Sequence, residues 1–179
     1  MLFRSFKALI TEQAPDGELA LVPMLRGRIL ALNDTRASEW EAPSEDAKWV
    51  LRGDRGITYD AELPENSTLA EGEWWPADYA GPPLVSLDAN VAEGFGIGLG
   101  DTLTFNILGR PITATIASLR DVEWGTLRMN FVVILSPGII ERAPPTHIAS
   151  VPVAPGPEAA LARAVAATPS VRISGIVQW

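Results

Sequence analysis

Glu93–Phe105 reads EGFGIGLGDTLTF, with glycine at every second position from Gly94 to Gly100 and Asp101 directly after. A glycine-rich turn that offers backbone N–H groups to a phosphate would make the chain an enzyme or a nucleotide sensor. The spacing argues otherwise. The dinucleotide fingerprint needs G-x-G-x-x-G after a strand and before a helix. Here the sixth position is Leu99 when counted from Gly94 and Asp101 when counted from Gly96. The order is also reversed, because a short helix from about Ser86, an acceptable N-cap, to Gly94 comes first and a strand follows. No lysine lies nearby for a Walker motif. The reading is mechanical: Gly94 or Gly96 ends the helix with a positive φ. Gly98, Gly100 and Asp101 then turn the chain into the strand.

The strand that follows carries the clearest pattern in the sequence. Leu103, Phe105 and Ile107 alternate with Thr102, Thr104 and Asn106; after a Gly109-Arg110 turn, Ile112, Ala114 and Ile116 alternate with Thr113 and Thr115. This is a β-hairpin with one buried face. WVLRGDRGITYDAEL (Trp49–Leu63) reads as further hairpin material, and MNFVVIL (Met129–Leu135) as a buried strand. The middle of the chain, 35–145, is therefore a β-rich inserted subdomain with one short helix.

The two ends read differently. Phe3, Phe6 and Ile10 recur at helical spacing. A long bent strand follows over Glu18–Asp34, with Pro23 near a bulge or an edge. Near the other end, Thr146–Val153 is β-like and a helix starts at Pro157-Glu158, with Ala160, Leu161, Ala164 and Val165 on one face. A strand over Val171–Val177 closes the chain. Residues 1–34 and 146–179 together give most of a β-α-β/β-α-β sandwich whose first strand is expected before Met1. The fold class is α+β.

Composition removes several functions. At 47% hydrophobic and 20% charged, the 179 residues make a folded globular chain. A net charge of -8 argues against nucleic acid, which needs clustered Lys and Arg. Without cysteine, and with His147 as the single histidine, thiolate and imidazole metal sites and a disulfide framework drop out. No cofactor is expected. No apolar run approaches the roughly 20 residues of a spanning helix. No G-x-S-x-G elbow accompanies His147. The carboxylates Glu71, Glu73 and Asp78, and Asp121 with Glu123, read as solvated loop charges.

The candidate contact residues are aromatic and basic. EGEWWPADY places Trp74, Trp75 and Tyr79 together. On extended backbone the two tryptophans would face opposite ways, one into the core and one toward solvent; the alternative is that both pack inside. Trp124 is the better candidate for exposure. Arg26 and Arg28 share one strand face, where they pair with acidic loops or meet an anionic lipid headgroup.

The Gly-Ile-Gly-Leu-Gly-Asp-Thr-Leu-Thr-Phe run resembles the lg-lk-GD-L-tf signature of extracytoplasmic domains in MacB/FtsX-like ABC-transporter permeases. PMLRGRILALN (Pro23–Asn33), EGEWWPADYAGPPLVSLD (Glu71–Asp88), Ile112–Glu141 and PPTHIAS (Pro144–Ser150) resemble, in the same order, the YbbP-like large-permease branch. That resemblance implies a porter-like unit interrupted by a small β insert, on the periplasmic side of the inner membrane. It implies no catalysis. The partners would be the transmembrane part of the permease, a cytoplasmic ATPase subunit and a periplasmic protein such as a lipid hydrolase. The function implied is coupling of ATP hydrolysis to periplasmic motion or to handling of lipid or another hydrophobic substrate. The alternative from the residues is a free-standing periplasmic module that binds carbohydrate or lipid through a Trp-rich surface.

Overall fold

The structure is a computed structural model and describes residues 2–15 (2–5 by backbone), 17, 19–41, 44–124, 129–138, 140, 145–151, 158–168 and 171. It divides into two units, Met1–Leu21 with Ile148–Trp179, and Val22–His147. The first contains α1 (Leu2–Gln13) and α3 (Glu158–Ala166), both where the helical spacing placed them. Ile10, Ala14 and Leu161 are its buried residues, with Phe6, Leu19, Val151 and Val165 packed on them. The closing strand read at Val171–Val177, and with it the second half of the sandwich, lies outside the described residues.

The second unit is mostly strand. Its elements are β1 (Ala20–Leu32, which begins in the first unit), β2 (Thr35–Arg36), a 3-10 helix (Glu45–Leu51), β3 (Arg55–Tyr59), β4 (Ser67–Gly72), β5 (Leu84–Asp88), α2 (Ala89–Phe95), β6 (Thr102–Ile107), β7 (Arg110–Val122) and β8 (Val133–Leu135). β9 (Thr146–Ser150) ends the described strands. The 3-10 helix corrects the expected hairpin: Trp49–Leu51 turn in a 3-10 helix, and β3 pairs with β1 and β8 instead of with its sequence neighbour.

The pairing closes on itself. β1 pairs with β3, β3 with β8, β8 with β5, β5 with β7, β7 with β6, and β6 returns to β1. The β3–β8 and β5–β7 contacts are parallel and the other four antiparallel. A closed ring of six strands leaves each of them hydrogen-bonded on both sides. β4 extends the wall from β7. Alternation fills the interior: Leu25, Ile29, Ile57, Val85, Leu87, Leu103, Phe105, Ile107, Ala114, Ile116, Val133 and Leu135 are all buried in one cluster. The bulge in β1 falls between Ile29 and Ala31, not at Pro23, whose carbonyl instead accepts from Thr58 Oγ1 at 2.6 Å.

The hairpin of β6 and β7 forms from the expected strands, but its two-residue loop is Leu108-Gly109, with φ of 50° and 83°, and not Gly109-Arg110, because Arg110 already pairs with Ile107. Both positive values match the turn that follows the natural twist of a hairpin, but the first position favours Asn over a bulky residue. Leu108 is 57% exposed and its side chain packs nothing away. Leu108→Asn should therefore stabilise the protein by about 1 kcal/mol, since a branched residue in the left-handed region costs ~1–2 kcal/mol and Asn less. Urea denaturation of both proteins reads this as a higher midpoint at unchanged slope.

Candidate functional site

The glycine stretch spends its own backbone donors. Helix α2 starts at Asp88, not Ser86, because Ser86 still belongs to β5; the Asp88 carboxylate accepts from the N–H of Asn90 at 2.9 Å and of Val91 at 3.1 Å. Gly94 sits where a Cβ would come within 2.5 Å of the Ala47 Cβ on the 3-10 helix. Gly96 ends the helix at φ 69°. The Trp40 indole N–H donates to the Phe95 carbonyl at 3.0 Å and the Ser44 N–H to the Gly94 carbonyl at 3.1 Å, which occupies two terminal carbonyls. Beyond the helix, Gly98 N–H donates to Asp101 Oδ2 at 2.8 Å and Gly100 N–H to the Ile116 carbonyl at 2.9 Å. Asp101 Oδ1 accepts from Asn33 Nδ2 at 2.9 Å, and Asn33 Oδ1 accepts from Thr102 N–H at 2.8 Å. A phosphate would need these same N–H groups, and the chain already uses them.

The sequence-derived contact residues scatter. Trp74 and Trp75 lie in Glu73–Pro76, outside any strand, so the alternation rule does not apply to them. Their rings meet with centroids 4.2 Å apart, and the indole N–H groups donate to the adjacent carbonyls of Ala61 and Asp60. Trp75 is 4% exposed and Trp74 half-buried. The Tyr79 hydroxyl donates to the Pro82 carbonyl at 2.6 Å. Trp124 follows β7, is 49% exposed, and donates to Asp88 Oδ2 at 2.9 Å. Arg26 and Arg28 point outward from β1, and Arg28 reaches Asp54 at 3.5 Å, an exposed pair of small energetic consequence. Among the six, the ring contact of Trp74 with Trp75 is the direct meeting of two candidates among the described residues.

The side chain that sequence reasoning missed is Arg120, 1% exposed, near the end of β7. Its Nε donates to Ser86 Oγ at 2.9 Å and its Nη1 to Ser67 Oγ at 3.2 Å. Nη2 points at the carbonyls of Phe131 at 3.0 Å, Val132 at 3.3 Å and Ser86 at 3.5 Å. Ser118 Oγ adds a hydrogen bond to Ser86 Oγ at 2.8 Å. Burial pushes the guanidinium down to about 10, and the Asp88 carboxylate pulls it back up. It is therefore charged at neutral pH. Alternation alone would carry Ala114, Ile116, Ser118 and Arg120 along one face, but the register with β5 shifts between Ile116 and Ser118, so Leu119 continues the core face beside Leu87 and Arg120 lies on the other face with Ser86.

Beside Arg120 lies a cavity of about 60 Å³, bounded also by Thr58, Asp60, Asn66, Ser67 and Asn130. Val22, Pro64, Met129, Phe131 and Ile134 give it apolar walls around these polar groups.

The described strands make a β-rich domain, and comparison with known proteins narrows the class. No family model matches the chain, and no solved structure matches it. Its sequence is similar to part of an ABC transporter permease. That relative is the uncharacterized ABC transporter permease YbbP of Escherichia coli (strain K12), 31% identical over 131 residues. The match takes in 72% of this chain and 15% of the relative, so the chain spans a small part of that protein's length. The similarity supports a domain related to an ABC permease.

Asp101 ties the glycine turn to the β1–β2 turn through two side-chain bonds. Asp101→Ala should cost about 2–3 kcal/mol, the loss of two hydrogen bonds to a charged acceptor with one donor left bare. Hydrogen exchange should report faster opening at the Gly98 amide, with the centre of β7 unchanged.

Proposed function

We propose that the chain is the extracytoplasmic domain of a MacB/FtsX-like ABC transporter permease of the YbbP-like branch. It is a non-enzymatic part that couples ATP hydrolysis by a cytoplasmic ATPase subunit to motion outside the inner membrane, or to handling of a lipid or other hydrophobic substrate there. The observation that carries this reading is the 31% identity over 131 residues to a permease. The resembling stretches span that permease branch in order, from Pro23–Asn33 to Pro144–Ser150. The structure agrees in character: the glycine-rich run is braced internally, and the ring of strands makes a compact body suited to transmitting force. In this reading the terminal unit completes a porter-like β-α-β sandwich, the membrane helices flank the chain in the full-length protein, and a periplasmic protein is the partner. Trp124, Arg26 and Arg28, all exposed, are its candidate contacts.

The chain contains no cysteine, which makes topology measurable with a single introduced thiol. In the full-length gene product, freed of other cysteines, Leu108→Cys should react with a membrane-impermeant maleimide in intact cells whose outer membrane has been permeabilised. Labelling only after the inner membrane is broken would place the domain in the cytoplasm and end the proposal.

A further inference from the structure

The guanidinium of Arg120 is a charge held almost wholly by neutral oxygens. Its hydrogen-bond partners are the hydroxyls of Ser67 and Ser86 and the carbonyls of Ser86, Phe131 and Val132. No carboxylate lies within ion-pair distance of it among the described residues. Asp88, its partner across the β5–β7 register, has its own oxygens committed to Asn90, Val91 and Trp124. A buried cation without a paired anion is costly, and an apolar side chain of similar volume would serve the wall as well or better. The cavity beside it gives the charge a use.

Arg120, Ser67 and Asn66 line that cavity together with apolar walls from Val22, Pro64, Met129, Phe131 and Ile134, and each has a hydrogen to spare. Nη1 of Arg120 makes one described hydrogen bond and carries two hydrogens. The Ser67 oxygen accepts from Arg120, which leaves its own hydrogen to donate. Asn66 offers a second amide hydrogen beyond the one given to Asn130. Asp60 is the carboxylate on the lining. Its charge opposes an anionic guest, and a doubly charged one about twice as strongly as a singly charged one. The volume of about 60 Å³ holds roughly four to six heavy atoms at the ~10–15 Å³ that one water-sized probe needs.

We propose that the Arg120 cavity is a binding site for one carboxylate group, held by Arg120 Nη1, the Ser67 hydroxyl and the Asn66 amide. This goes beyond the permease reading and does not depend on it. The carboxylate belongs either to a small free acid or to the end of a peptide.

Titration of the 179-residue chain with sodium acetate, at ionic strength held constant with sodium chloride, tests this. The Arg120 Nε–H resonance should move saturably with acetate and stay still with chloride alone. Because Arg120 also joins the wall, the informative variants lie on the rim. Asp60→Asn should tighten acetate binding about two- to five-fold, the weight of one exposed charge. Ser67→Ala should weaken it about ten-fold, the weight of one hydrogen bond to a charged group. N-acetylglycine in a parallel titration separates the sources: saturation matching acetate identifies a peptide end, and acetate alone identifies a free acid. An unmoved Arg120 resonance, affinities indifferent to both rim variants, or tighter binding of inorganic phosphate than of acetate would each overturn the proposal.

Discussion

Strand β7 is hydrogen-bonded along its whole length to three other strands, and the second unit depends on that arrangement. Residues from Arg110 to Thr115 pair with β6, those from Thr115 to Arg120 with β5, and those from Ser118 to Val122 with β4. A strand of thirteen residues can do this because its two edges are used independently. One edge takes β5, and the other is shared end to end by β6 and β4. Closure through β6 to β1, and through β5, β8 and β3 back to β1, then follows from pairing alone. With no open edge in the ring, the apolar faces point to one interior and a single cluster forms.

The same strand buries a charge on its other face. Where β7 leaves β6 behind, a register shift between Ile116 and Ser118 keeps Leu119 on the core face and puts Ser118 and Arg120 on the opposite face with Ser86. That face is polar because β4, β5 and the Phe131–Val132 segment converge there with hydroxyls and carbonyls. Arg120 joins these segments through fixed donor geometry, a task a flexible ammonium would do less well. Polar atoms buried in the described side chains all have partners. The two faces of this wall thus divide the work: one supplies apolar burial, the other orientation and a cavity.

The glycine-rich connection between β5 and β6 is a brace. Asp88 opens α2 and receives Trp124; Gly96 closes it; Asp101 and Asn33 lock the exit against the turn that follows β1. Gly94 is required by closeness to Ala47, and Gly96 and Gly100 by positive φ, while the Gly98 and Gly100 N–H groups are spent on Asp101 and Ile116 and so are not held open for a phosphate. The paired indoles of Trp74 and Trp75 likewise fasten their loop to the carbonyls after β3.

The sequence alone determined the local elements whose signals are short in range. The alternation from Thr102 to Ile116 fixed a hairpin, helical spacing fixed α1 and α3, and the glycine spacing excluded a nucleotide fingerprint. The similarity to a permease was also legible, in the order of stretches from Pro23 to Ser150. What it left undetermined depends on partners distant in the chain. A 3-10 turn replaced a strand at Trp49–Leu51 because that segment packs beneath α2, with Ala47 against Gly94. The helix began at Asp88 because β5 extends through Ser86 to pair with β7 and β8. Alternation alone puts Arg120 on the core face; the register shift in the β5–β7 pairing moves it to the other face, where carbonyls more than ten residues away satisfy it. Periodicity tells which face a side chain occupies; only closure of the sheet decides what stands opposite it, because strand pairing joins residues that the sequence keeps far apart.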